Sequence, residues 1–207
     1  MPGFRQLLIS VVMLAMAGSV FAMGIKEGVQ FERIQPPVPT STSGKTVEVV
    51  EMFWYGCPHC FQFEPKLHKW LKKKPANVKF IRVPATFFPL WKLHARAFYT
   101  AEVLGVTGKL HKALFDTYHL ERNRMDSQKK LRALFVKHGV KGSDFDDTFH
   151  SFAVETKVAR AADLTKRYGI NGVPSMIVNG KYRATEKHRG GPSMLDVVDY
   201  LIKKERK

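Results

Sequence analysis

The sequence predicts an α/β domain interrupted by an all-helical insertion, and three observations carry that prediction. A dense β-branched run from Lys45 to Trp54 leads into Cys57-Pro58-His59-Cys60, which holds the only two cysteines of the 207-residue chain. From Phe87 to Ser151 the apolar residues recur at helical spacing, with no strand signal between them. Beyond that stretch, Asn179-Gly180 separates two short apolar runs, a strong signal for a two-residue hairpin.

Taken in order, the chain opens with an export signal at residues 1–22. Arg5 and the initiator amine make a positive start, Leu7 to Ala17 is an apolar run, and Val20-Phe21-Ala22 places small residues at −3 and −1 of a cleavage site. The run is short of the about 20 apolar residues that span a bilayer. Residue 23 is Met, so no lipobox cysteine is present for acylation. No second apolar stretch is long enough to cross a membrane, and the exported chain is expected to be soluble. Gln35 to Gly44, rich in Pro, Ser and Thr, reads as a loop. Lys45 to Trp54 reads as a central strand buried on both faces, with Glu48 and Glu51 inside it. Cys57 opens a helix with Pro58 in its first turn, where no N–H is needed. Pro65 is expected to kink that helix before Trp70 and the run Lys72-Lys73-Lys74. Asn77 to Val83 is a second strand, and 23–86 forms the first part of the α/β domain.

Residues 87–151 form the helical insertion. One helix runs through "HARAFYTAEVLG" to Gly105 and a second through "KLHKALFDTYHL". A third is capped by Asp126 or Ser127 and stops at Gly139, and Ser143 is expected to cap a fourth. A long helix from Phe152 to Tyr168 then ends at Gly169. The hairpin "VPSMIV"–"KYRA" follows, and "SMLDVVDYLIKK" closes the chain with Met194, Val198, Leu201, Leu195 and Ile202 on one side. With the insertion removed, 23–86 and 152–207 read β-α-β then α-β-β-α, which is the thioredoxin arrangement.

Formal charge is +16, and Arg5 is the only charged side chain in 1–22, so the exported part carries about +15. The basic residues are spread along the chain, with short clusters at Lys72 to Lys74 and Lys203 to Lys207 that suit the negative ends of helices. No nucleic-acid motif accompanies them, and nucleic acid is not an expected partner.

Cysteine usage is more informative. Small exported domains that need disulfides carry several at long spacings, because a cross-link stabilises by closing a long loop. A Cys-x-x-Cys link closes almost none, so this pair is reactive rather than structural. At a helix N-terminus, unpaired backbone N–H groups and the dipole favour a thiolate. Cys57 is therefore the expected exposed nucleophile and Cys60 the buried resolving thiol. His59, between them, stabilises the thiolate by charge or hydrogen bonding, and so makes the disulfide a stronger oxidant. Rival uses fit less well. A c-type haem needs His after the second cysteine, where Phe61 stands. Structural zinc needs four ligands, and His68 and His94 are scattered singles. An inert disulfide is the remaining alternative. No metal or cofactor is called for.

Two further elements complete the expected site. Val173-Pro174 begins a strand after a Gly-containing turn; in a thioredoxin fold such a proline is cis and lies against the dithiol, leaving neighbouring backbone free to pair with an extended substrate. Glu51, six residues before Cys57, is costly to bury unpaired, and Arg82 in the adjacent strand is its expected partner.

"CPHC" and "GVPSMIVNGKY", with the helical block between them, resemble the DsbA family of bacterial periplasmic thiol oxidases across essentially the whole exported chain. The resemblance implies a thiol:disulfide oxidoreductase that gives its disulfide to reduced, newly exported proteins through a mixed disulfide on the first cysteine. It also implies reoxidation by a DsbB-type, quinone-linked membrane oxidase. Cys57, Cys60 and His59, with Pro58 between, match the family's active-site motif, and Val173-Pro174 its cis-proline. Glu51 and Arg82 match a buried acid–base pair whose basic member is commonly Lys; Arg holds its proton more firmly, which favours charge pairing over proton transfer. Gln62, Phe63 and Met194 fall where the family has a groove for partner peptides. Pro65 resembles the proline of thioredoxin's kinked active-site helix. The alternatives are an isomerase or reductase of the same fold, or a non-catalytic peptide-binding chaperone. The usual periplasmic isomerase has a dimerisation domain, and Ile25 to Gly44 is too short for one, so a monomer is expected.

Overall fold

A seven-residue strand that is buried at every position must lie between two neighbours with both faces covered, and the strand before the cysteines does so. In this computed structural model, which describes residues 24–185 and 191–206, the short strand β1 (Phe31–Arg33) is followed by β2 (Val47–Phe53). The export signal read at residues 1–22 lies outside the described residues. Helix α1 (Pro58–Leu71) leads to β3 (Val78–Pro84). Four helices of the insertion follow: α2 (Pro89–Val103), α3 (Thr107–His119), α4 (Gln128–Lys137) and α5 (Gly142–Phe149). The chain ends with α6 (Phe152–Arg167), the hairpin β4 (Ser175–Val178) and β5 (Tyr182–Thr185), and α7 (Met194–Glu205). The strands form one sheet in the order β1-β5-β4-β2-β3, with β2–β3 parallel and the other pairs antiparallel. This is the α/β arrangement with a helical insertion that the sequence predicts, with β1 added as an edge strand.

Alternation along β2 sends its side chains to two cores. Val47 and Val49 face a cluster with Phe63, Leu67 and Trp70 of α1 and Val198 and Leu201 of α7. Val50 and Met52 face the other, which runs without a break through α6 into the insertion residues Phe98, Leu114, Phe115 and Phe145.

Several local expectations change. Helix α2 starts at Pro89, in its first turn, ahead of the predicted "HARAF" start. Ser127 caps α4 by accepting from Lys130 N–H, which decides between the two candidates. Ser143 does not cap α5: the N-cap is Lys141, and the Ser143 hydroxyl instead donates to Asp144. As expected, Pro65 lies inside α1, which continues to Leu71. In α7, Val197 is buried beside Met194 and Val198, while Leu195 is only half-buried. The hairpin loop is one residue longer than predicted, since Val178 pairs with Tyr182. Asn179 and Gly180 still take positive φ of 50° and 62°, and Lys181 N–H donates to the Val178 carbonyl. At Gly180 a Cβ would stand 1.9 Å from the Val38 carbonyl oxygen, so both conformation and contact require glycine.

Candidate active site

Strand β2 ends at Phe53, and Trp54-Tyr55-Gly56 turns the chain into α1. Cys57 is the N-cap, with φ −86° and ψ 117°, and Pro58 occupies the first turn. The first backbone N–H groups of α1 therefore point toward the Cys57 sulfur, and they favour its thiolate. Both cysteines are free thiols. Cys57 is 8% exposed and Cys60 0%, so the expected difference in access is present but small; Cys57 is a buried sulfur with a narrow opening, not an exposed one. Its Sγ donates to the Val173 carbonyl at 3.2 Å, and the Val173-Pro174 bond is cis. The Cys57 thiol is brought down to about 6, first by the hydrogen bond from the Cys60 side chain. Burial opposes this, while the backbone N–H groups of Cys60 and His59 and the charge of His59 assist it. Burial pushes Cys60 strongly the other way, helped by its hydrogen bond to Cys57 and the nearby charges of Cys57 and Glu51. Pro58 and His59 are exposed.

Glu51 and Arg82 are register partners in the parallel β2–β3 pair, and Arg82 Nε donates to Glu51 Oε2 at 3.0 Å. Glu51 is fully buried, and burial pushes its carboxyl up to about 8 against the opposing pull of Arg82. Its other oxygen, Oε1, has no hydrogen-bond partner among the described residues. The sequence reading stops at this pair, but the structure continues it. Arg82 Nη2 donates to both oxygens of Glu64 in α1 at 3.3 Å, and His111 Nε2 of α3 lies 3.4 Å from Glu64 Oε1. Tyr55 Oη is 2.9 Å from His111 Nδ1. Burial raises Glu64, but His111 and Arg82 together outweigh it and hold the carboxyl below its usual range. Burial lowers His111 and raises Tyr55. The result is a largely buried chain, Glu51–Arg82–Glu64–His111–Tyr55, that no motif announces, because its members come from β2, β3, α1, α3 and the turn before Cys57.

The turn before Cys57 is held by the insertion. Trp54 Nε1 donates to His94 Nδ1 at 3.0 Å, and His94 Nε2 lies 3.0 Å from the Arg124 carbonyl. These partners fix a neutral imidazole with its proton on Nε2. His119 Nε2 donates to the Tyr55 carbonyl at 2.9 Å. Trp54 stacks on Trp91 with centroids 4.2 Å apart and planes 8° from parallel. A Cβ at Gly56 would meet the Trp54 ring at 2.4 Å, so that indole position requires glycine. His94, weighed above as a stray metal ligand, belongs to this clamp, and among the described residues no cluster of three potential ligands forms.

The expected groove is only partly present. Gln62 is exposed, but Phe63 and Met194 are each 2% exposed and pack in the core between α1, α7 and the sheet. Their helical phase turns them inward, which corrects the groove assignment for both. The exposed apolar surface near the turn is instead Phe87 and Phe88, the latter 64% exposed, both edge-on to Trp91.

Comparison with known proteins agrees with this geometry. Residues 90–201 match the DSBA-like thioredoxin domain, a stretch that includes most of the insertion and Pro174 but begins after the cysteines. The chain is 41% identical to the thiol:disulfide interchange protein DsbA of Pseudomonas syringae pv. tomato, across 98% of this chain and 96% of that one. It superposes on the crystal structure of Pseudomonas aeruginosa DsbA with a TM-score of 0.83 at 40% identity, covering 89% of this chain and 96% of that one. It is also similar to a Proteus mirabilis DsbA variant solved with a non-covalently bound peptide, PWATCDS, with a TM-score of 0.73 at 30% identity over 88% of this chain and 97% of that one.

Proposed function

The chain belongs to the DsbA family of thiol:disulfide interchange proteins, and from that premise we propose how its Cys57–Cys60 couple oxidises a substrate. In the oxidised enzyme a substrate thiolate attacks Cys57 Sγ. The sulfur–sulfur bond electrons leave on Cys60, which takes up a proton, and a mixed disulfide joins substrate and Cys57. A second substrate thiolate then attacks the substrate sulfur and expels Cys57 as a thiolate. Two electrons pass from the substrate dithiol to the enzyme, and the substrate leaves with a disulfide. The observation that carries this reading is the opposed tuning of the two thiols. Cys57, held to about 6, is the better leaving group, which drives the second step toward release. Cys60, raised by burial, must be protonated as it leaves. Glu51, at about 8, is mostly protonated at neutral pH, and its unpartnered Oε1 is a ready seat for that proton. Arg82 serves as the fixed positive charge that holds Glu51 and Glu64.

The Val173 carbonyl, already bonded to Cys57, and the exposed backbone before Pro174 suit an extended substrate chain. Phe87, Phe88 and Gln62 supply surface on either side. The peptide held by the Proteus mirabilis relative, which contains both Trp and Cys, supports recognition of this kind. The reduced enzyme needs an oxidant to return; a DsbB-type quinone-linked membrane oxidase fills that role, with the exported chain working as a monomer in the periplasm. The test is oxidation of a reduced model protein by wild type and by Cys57→Ala. Equal rates would remove the oxidase reading, and a couple as reducing as thioredoxin's would turn it into a reductase.

A further inference from the structure

We propose that the end of the molecule opposite Cys57 is a docking groove for an anionic phospholipid surface. The groove lies between the C-terminal ends of α1 and α7 and has a volume of about 360 Å³. Its floor is apolar, from Trp70, Pro75 and Ile202, and its rim carries Lys69, Lys73, Lys203 and Arg206. Lys72 stands beside it as the C-cap of α1. The one acidic side chain lining the groove, Asp199, is already engaged, accepting from Trp70 Nε1 at 2.8 Å.

Two features set this end apart. First, the charge is gathered here: residues 66–79 and 199–206 hold nine basic side chains and two acidic ones, nearly half of the excess of +16. Second, the cations are unpaired. In the insertion several basic side chains have acidic partners, as in Lys112–Asp116, Lys130–Asp126 and Arg132–Asp146, and Lys157 of α6 pairs with Glu102. Among the described residues, Lys69, Lys72, Lys73 and Lys203 have none. The helix dipole favours a cation or two at each C-terminus, but it does not require a rim of unpaired lysines above an apolar floor.

The occupant follows from the chemistry. Lys69, Lys72, Lys73 and Lys203 are all exposed, and four solvated amines suit a field of phosphates better than a single bound anion. The floor beneath them is nearly closed, with Trp70 and Ile202 buried and Pro75 half-buried, so the contact is made by the rim charges with lipid headgroups. Helix α1 spans 14 residues, about 21 Å at 1.5 Å per residue, from Cys57 to the groove. A chain docked this way presents Cys57 to polypeptides arriving in the compartment, and it leaves the surface to meet the membrane oxidase.

The test is sedimentation of the purified exported chain with vesicles of phosphatidylcholine alone, or with about one-third phosphatidylglycerol, at low and physiological salt. Wild type should bind only the anionic vesicles, and less tightly as salt rises. Each lysine near such a surface is worth roughly five-fold in partition, so Lys69→Gln, Lys72→Gln, Lys73→Gln and Lys203→Gln together should lower it at least about a hundred-fold. A control with Lys109, Lys129, Lys130 and Lys137 changed to Gln loses the same charge and should keep most of the binding. Equal loss in both sets would overturn the proposal in favour of net charge alone. Absence of vesicle binding by wild type would overturn it too, even if the chain bound inorganic phosphate or an acidic peptide. Oxidation of a soluble reduced protein should be unchanged in the groove variant, so this outcome is read separately from the oxidase reading.

Discussion

Cys57 and Glu51 titrate in opposite senses, and the pH dependence of the site follows from both. The reduced Cys57 thiol sits at about 6, far below its unfolded value near 9. Its contribution to stability is complete above pH 9 and is lost as pH falls toward 6. The oxidised form has no thiol to titrate. Chemical denaturation should therefore show the reduced form losing stability relative to the oxidised form across that window, and thiolate absorbance should fall with a midpoint near 6. His59→Ala removes one of the aids to the thiolate and should raise that midpoint; an unchanged midpoint would make His59 a spacer. Glu51 is the reverse case, a carboxyl raised to about 8 by burial, so its protonated form favours the fold and stability drops as pH rises from 4.5 to 8. Glu51→Gln should flatten that drop and gain about 1–3 kcal/mol at pH 8 relative to pH 5. It should also shift the Cys57 midpoint and the reduction potential; if neither moves, Glu51 has no part in proton handling. At this scale the sequence revealed residues whose partners are near in the chain or across one strand pair. Glu51 and Arg82 were legible because parallel register pairs them. Glu64, His111 and Tyr55 were not, because α3 reaches α1 only through the insertion's packing.

The turn at residues 54–56 is one element positioned by two others, α2 and α3. His94 is held near 4 chiefly by burial, so it is neutral in the fold, and its contribution is lost as pH falls from 6.5 toward 4. His94→Phe should remove that acid-side loss. At pH 7 it should still cost about 1–3 kcal/mol, because the Trp54 N–H and Arg124 carbonyl are left without their partner. Urea melts of both proteins at pH 7 and pH 4.5 separate the two effects, and equal acid sensitivity would show that His94 is not the titrating group. The β4–β5 hairpin carries a second element-level prediction. Gly180→Ala places a Cβ against the Val38 carbonyl and demands a positive φ, so it should cost about 2 kcal/mol or more in thermal or urea unfolding. Asn179-Gly180 was legible because few residue pairs accept such angles. The extra loop residue was not, since register depends on Val178 facing Tyr182 across the sheet. Phe63 and Met194 were misread for a related reason. Position along a motif does not fix which face of a helix turns inward.

Over the whole molecule, the order of strands and helices was legible because each element carries its own period and punctuation. How far the insertion stands apart was not, because that depends on which faces meet. The sequence reads as an α/β domain with a separate helical block, yet one apolar core runs from Val50 and Met52 of the sheet through α6 to Leu114, Phe115 and Phe145. The active-site turn is tied to the same block by three histidines. If the insertion were an autonomous lobe, a cavity in α3 would melt that lobe and leave the thioredoxin part folded. With a continuous core, the loss is shared by the whole. Leu114→Ala, at a fully buried position in α3, should therefore destabilise the entire protein by about 2–5 kcal/mol. Helical circular dichroism, tryptophan fluorescence from Trp54, Trp70 and Trp91, and alkylation of Cys57 should then report one shared midpoint, as two-state unfolding requires. Two separated midpoints, with Cys57 protected through the first, would instead show that the insertion folds on its own and supports the redox site only from outside.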